Sequence, residues 1–170
     1  MIRRLAAILA ALPLLTLAAP QAAAQAPQFH TQHGDWRVFT RGSGHDRICY
    51  ATSRPTDSRP ADVTHGDVYF MIASWASGAA TEQPSFLTGY ELRPDNPPVA
   101  RVGSDRIVMY VSEREGFIEE GADERRLVDA MRRGSDMRVE ATSARGTATA
   151  YTFSLAGVTA AVRQAGELCR

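Results

Sequence analysis

Apolar and polar residues alternate along most of the chain, and alternation with period two predicts strands. Segment 35–40 places Trp36 and Val38 on one face, and segment 47–53 carries Ile48, Cys49 and Tyr50. Gly42-Ser43-Gly44 between them is a turn signal, so the two segments are expected to form a hairpin. Segment 68–75 is apolar on both faces, as a central strand would be. Segment 85–92 reads as a further strand, and Pro94, Pro97 and Pro98 stop the pattern after it. Segments 99–102 and 106–111 flank Gly103-Ser104-Asp105, a second hairpin. Segments 137–142 and 147–155 alternate again, turning Met137, Val139 and Ala141, then Thr149, Tyr151, Phe153 and Leu155, to one side. Residues 25–34 read as a polar lead-in and 54–66 as a loop.

The period changes twice. Leu127, Val128 and Met131 share a face at helical spacing and predict a helix over 122–133. Asp123 and Glu124 in its first turn, and Arg132 and Arg133 in its last, complement the helix dipole, and Gly134 follows as a stop. Val158, Ala161, Val162, Ala165 and Leu168 predict a second helix over 158–168. Many short strands with turn signals favour a mainly β sandwich, with one helix as a crossover and the other as a C-terminal clasp.

The N-terminus has the layout of an export signal. Arg3 and Arg4 precede an uncharged run, 5–19, broken by Pro13, and Ala22 and Ala24 fit the small-residue pattern of a cleavage site. Cleavage is expected after Ala24. This makes 1–24 a signal peptide and 25–170 a single mature domain, with no cysteine near the cut for a lipid anchor. Every basic side chain is arginine, and the mature chain carries 17 of them against 19 acidic residues. That balance argues against a nucleic-acid partner. In an oxidising compartment the two cysteines, Cys49 and Cys169, are expected to pair. The alternative, a metal held by two thiols with no nearby histidine cluster, makes a poor site. A bridge over so long a loop is worth about 4–5 kcal/mol in the chain-entropy account.

Few residue groupings suggest chemistry. His30 and His33 have metal-ligand spacing but lie in the polar lead-in without further ligands. Ser43, His45 and Asp46 hold the residue types of a hydrolase triad, yet near-contiguous neighbours do not converge as a triad must. Glu113, Glu115, Glu119 and Glu120 form an acidic stretch without the ligand pattern of a calcium loop. Arg132, Arg133, Arg138 and Arg145 are expected to gather at one end, as helix capping or as a seat for an anionic surface. Trp36, Tyr50, Tyr90 and Tyr151 read as core, whereas Trp75 ends its strand beside a Ser/Gly/Ala loop and is the best aromatic for an exposed contact. The weak binding candidates are therefore Trp75, Arg132 and Arg133. No catalytic group, metal, cofactor or small-molecule substrate is expected.

Taken in order, several segments form a recognisable series. They are Gly34-Asp35-Trp36-Arg37-Val38, Cys49-Tyr50-Ala51 with Ser53 and Pro55, and Gly89-Tyr90. The C-terminal half adds Leu127-Val128-Asp129-Ala130-Met131 with Gly134, Met137-Arg138-Val139, Ser143-Ala144-Arg145-Gly146-Thr147, Tyr151-Thr152-Phe153-Ser154-Leu155-Ala156-Gly157 and Cys169. This series resembles the invasion-associated locus B family of exported α-proteobacterial proteins, most specifically over 127–157. The resemblance implies an immunoglobulin-like β-sandwich and a periplasmic, secreted or outer-membrane-associated location. It also implies a role in host-cell entry in pathogenic members. The β pattern, the export signal and the absence of a catalytic constellation point to action by binding an envelope or host-surface protein through a strand edge or end loops. The resemblance supplies no catalytic residues. The chain departs from members that carry extra cysteines near the first strand, since 38–41 has none. Two other roles compete: a periplasmic hydrolase using the carboxylates around Glu119, and a structural or stress factor of the envelope.

Overall fold

The computed structural model describes residues 25–170, so the expected signal peptide lies outside the described residues. Twelve strands and two helices follow in order: β1 (Gln28–His33), β2 (Trp36–Arg41), β3 (Ile48–Ser53), β4 (Asp57–Arg59), β5 (Tyr69–Trp75), β6 (Gln83–Leu87), β7 (Val99–Val102), β8 (Asp105–Val108), β9 (Tyr110–Ser112), β10 (Glu115–Phe117), α1 (Gly121–Arg133), β11 (Asp136–Thr142), β12 (Ala148–Ser154) and α2 (Val158–Leu168). The first sheet has the order β1-β2-β3-β5-β6-β10-β9 and the second β4-β12-β11-β7-β8. All ten pairings are antiparallel, so the mainly β sandwich with two helices is the observed architecture. As expected, α1 is a crossover, leaving the first sheet after β10 and returning into the second as β11.

Both expected hairpins form, β2 with β3 and β7 with β8. The differences lie at the sheet edges and between layers. Segment 28–33 is a strand rather than a lead-in, and pairs with β2 through a bulge between Phe29 and Thr31. Segment 57–59, expected as loop, pairs with β12. Both are edge strands, bonded on one side only, and a strand that buries neither face has no apolar alternation to betray it. Segment 106–111 is two strands, because the chain leaves the second sheet at Val108 and enters the first at Tyr110. Met109, which makes the step, is buried, and its N–H donates to the Pro98 carbonyl at 2.8 Å. The strand expected over 85–92 runs instead from Gln83 to Leu87. The chain beyond it laces the layers together: Leu92 N–H bonds the Glu113 carbonyl on the first-sheet side, and Arg93 N–H the Thr142 carbonyl on the second.

The core lies between the layers. Phe70 and Phe86 of the first sheet meet Tyr151 and Phe153 of the second, with ring centroids 5.6–6.4 Å apart in tilted or edge-on pairs. Such pairs add roughly 0.5–1.5 kcal/mol each beyond the area they bury. The predicted inward residues of β11, β12 and α1 are all buried. In α2, Val158, Ala161, Val162 and Ala165 are buried and Leu168 is partly so. Gly134 stops α1 for a reason other than a left-handed turn. Its φ is −88°, and a Cβ there would lie 2.6 Å from Val102 Cγ1.

Helix α2 is held at both ends. At its start the β1–β2 turn meets the turn before the helix, backbone on backbone. A Cβ on Gly157 would lie 2.0 Å from the His33 carbonyl oxygen, and one on Gly34 would lie 2.3 Å from that of Ala156. Asp35 N–H donates to the Ala156 carbonyl at 3.0 Å, and Trp36 Nε1–H donates to the Ser154 carbonyl at 2.9 Å. At its end the Cys49–Cys169 disulfide is formed, closing a separation of 120 residues. Arg47 Nη1 donates to the Leu168 carbonyl at 3.0 Å, placing a cation on the negative end of the helix.

Two stability measurements check this clamp. Gly157→Ala should destabilise the protein by about 1–3 kcal/mol in urea unfolding, since a strained φ of +91° is combined with a backbone clash. Gly44→Ala should cost less, because Gly44 also has positive φ but faces open space. Cys49→Ser should lower stability by about 2–5 kcal/mol. Its effect should exceed that of Arg47→Gln, which removes one hydrogen bond from a charged donor.

Candidate functional site

The predicted binding residues fall in different places. Trp75 and Arg132 come together, lining a cavity of about 440 Å³ between the end of β5 and α2, with Glu82, Arg163 and Cys169 around them. Arg133 does not line it. The Arg132 guanidinium grips both carboxylate oxygens of Glu82 at 2.7 Å and one of Asp129 at 3.0 Å. Glu82 has a φ of +53°, unusual for a residue with a side chain, and its N–H donates to Ser74 Oγ at 3.0 Å. Arg132 is therefore committed to holding a strained turn, and Trp75 forms a partly exposed wall beside it.

The arginines expected to gather do not. Arg138 points outward from β11, where the register sets it directly opposite Arg101 of β7, and Arg101 directly opposite Arg106 of β8. With Arg59, these three line an open groove of about 580 Å³ that excludes Arg132, Arg133 and Arg145. The one carboxylate lining it is Glu140, which accepts from Arg138 Nε at 3.2 Å and from Arg101 Nε at 3.5 Å. The Arg138 hydrogen bond, helped by Arg101, holds the Glu140 carboxyl below the usual carboxylate range. Spacing along the chain does not reveal this row, because three separate segments supply it.

Two of the tyrosines read as core belong to a partly buried polar chain. Tyr90 Oη lies 2.7 Å from Thr149 Oγ1 and 2.9 Å from Tyr151 Oη, and Tyr151 Oη lies 2.7 Å from His65 Nδ1. His65 Nε2 reaches the Pro60 carbonyl at 2.8 Å, so it donates there and leaves Nδ1 to accept from Tyr151. Burial, reinforced by Tyr90, pushes the Tyr151 hydroxyl far above its ordinary pKa. A hydroxyl that stays protonated and a chain that ends on a backbone carbonyl describe a tie between the loop at Pro60 and the core.

The remaining candidates stay apart. His30 Nε2 meets Thr40 Oγ1 at 2.8 Å and His33 Nε2 meets Gln164 Oε1 at 2.6 Å, so each ring has its own partner. His45 and Asp46 sit on an exposed single-turn helix that Ser43 precedes in extended conformation, and no hydrogen bond joins their side chains among the described residues. Glu113 takes the turn between β9 and β10 with a φ of +53°, and Glu119 and Glu120 are exposed ahead of α1. Glu115 is half-buried in β10, and burial raises its pKa against a hydrogen bond from Ser85. No group of three potential metal-ligating side chains forms among the described residues.

The outer face of the first sheet carries an aromatic stripe, and Tyr50, read from the sequence as core, belongs to it because it shares the outward face of β3 between buried Cys49 and Ala51. Phe29, Phe39 and Tyr50 lie opposite one another across β1, β2 and β3, with neighbouring centroids 5.5 and 5.6 Å apart. The Arg37 guanidinium sits 5.0 Å from both phenylalanine ring centroids. Phe29, on the edge strand, is 48% exposed.

No protein-family model matches the chain, and no curated protein does. Among solved structures, the chain is similar to the crystal structure of invasion associated protein B from Bartonella henselae, with a TM-score of 0.56 at 12% sequence identity. The match covers 83% of this chain and 96% of the other, so the two share a fold across nearly the whole described domain.

Proposed function

We propose that the chain is exported, cleaved after Ala24, and acts outside the cytoplasm as a non-catalytic binding protein of the invasion-associated type. Its partner is a protein of the envelope or of a host surface. The observation that carries this reading is the covalent closure of the C-terminal helix onto β3, in a fold shared with the Bartonella protein. A disulfide of this kind belongs to oxidising compartments. The partner-binding face is the aromatic stripe with the adjoining edge strand. Exposed Phe29, stacked Phe39 and Tyr50, and an arginine lying over them form the combination enriched at protein interfaces. The free edge of β1 can also accept a partner strand.

Two experiments test this. Mass spectrometry of protein recovered from the producing cell's periplasm should give a mature chain starting at Gln25 with both cysteines oxidised. An intact N-terminus with free thiols defeats the export reading. A photo-crosslinking side chain at position 29 should trap a discrete partner, and Phe39→Ser should reduce that yield several-fold. Equal trapping from position 119, on the exposed acidic stretch, defeats the assignment of the face.

A further inference from the structure

The second sheet presents a feature that its own stability opposes. Arg138, Arg101 and Arg106 stand in one row across three neighbouring strands, each directly opposite the next. Like charges in directly opposed positions destabilise a sheet. The local carboxylates do not balance them. Glu140 is shared by Arg101 and Arg138, Asp57 is taken by Arg59 at 3.0 Å, and Arg106 makes no ion pair among the described residues. Asp136, further along the same face of β11, receives the Ser135 hydroxyl and not Arg138. The groove is thus left with more guanidinium than carboxylate, although the mature chain as a whole is slightly acidic. The side chains of Arg101 and Arg138 are 43% and 47% exposed, so their remaining donors are accessible. A local rule broken without a structural gain is where a functional site is expected.

We propose that this groove binds a saccharide bearing clustered phosphate groups. Guanidinium is the side chain suited to phosphate, because its planar fork donates in pairs to the oxygens. Strands lie about 4.8 Å apart, so the row offers successive forks to successive phosphates. Asn96 lines the same groove and adds an uncharged amide suited to sugar hydroxyls, its Nδ2 also donating to Thr142 Oγ1 at 2.7 Å. The apolar residues of the lining are Pro60, Pro97, Val99, Ala141, Ala148 and Ala150, with no aromatic ring among the lining residues on which a base would stack. That favours a phosphosaccharide over single-stranded nucleic acid. The inference goes beyond the proposed function and does not rest on it: it concerns the opposite face of the sandwich and needs only the folded mature domain.

The probe is inositol hexakisphosphate, titrated by calorimetry into the mature, oxidised protein. Arg106→Gln should weaken binding about ten-fold, as loss of a charge-assisted contact does. Arg106→Lys, which keeps charge but loses the fork, should fall between the two. Arg145→Gln, outside the groove, should leave affinity unchanged. Without ligand, Arg106→Gln should melt at or above the wild-type temperature, because it relieves repulsion. Wild-type affinity in the Arg101→Gln/Arg106→Gln/Arg138→Gln triple variant overturns the proposal, as does a fall in melting temperature that accounts for the weaker binding. So does a single-stranded oligonucleotide that binds as tightly as inositol hexakisphosphate through the same arginines. Vesicles of phosphatidylcholine with and without phosphatidic acid separate the sources. Arginine-dependent co-sedimentation with the phosphatidic-acid vesicles supports a lipid headgroup. Binding of inositol hexakisphosphate alone supports a soluble phosphosaccharide.

Discussion

The sandwich is closed by a place where two backbones touch with no side chain between them. Gly34 and Gly157 bring the β1–β2 turn against the start of α2 more closely than any Cβ allows. From that contact Trp36, fully buried in the first sheet, reaches the Ser154 carbonyl at the end of β12 in the second. An isolated helix of 11 residues is marginal in water. Helix α2 persists because its start is fixed by this contact, its apolar face is buried, and its end is tied by Arg47 and Cys49. The layers and the clasp are therefore one constraint: loosening the glycine contact would also shift the tryptophan that joins the sheets.

Inside this frame the polar groups are satisfied. No buried side-chain nitrogen or oxygen among the described residues lacks a hydrogen-bond partner. The Thr149–Tyr90–Tyr151–His65 chain is the clearest case, because two phenol groups enter an aromatic core that would otherwise reject them. An unpaired buried hydroxyl costs roughly 1–3 kcal/mol, so each link depends on its neighbours being in place. That interdependence explains why the loop carrying His65, with little regular structure of its own, stays docked on β12.

What the sequence revealed follows from what alternation measures. Strands β2, β3, β11 and β12 and both helices were legible because each buries one face and shows it in its period, and β5 was legible because its apolar run covers both faces. Strands β1 and β4 were illegible because they are polar edges. The jump at Met109 was hidden because a strand changing sheets keeps its alternation while changing its neighbours. The disulfide was legible from the cysteine count and the expected compartment, without geometry. The two surfaces proposed for binding were not. Trp75 and Arg132 do meet, yet Arg132 serves Glu82. The arginine row and the aromatic stripe are products of register between segments far apart in the chain.

The two outer faces are consequently different in kind. The first sheet shows stacked rings capped by one arginine; the second shows a line of arginines with no ring beside them. Net charge hides this, since in a chain with 19 basic and 19 acidic residues an excess of guanidinium on one face leaves the rest net negative. At physiological salt a charge is felt over only about 8 Å, so a ligand at the groove meets the local arginines and not the chain's total. A molecule so polarised is oriented by any anionic surface it approaches. With the second sheet turned toward such a surface, the aromatic stripe on the outer face of the first sheet points away from it.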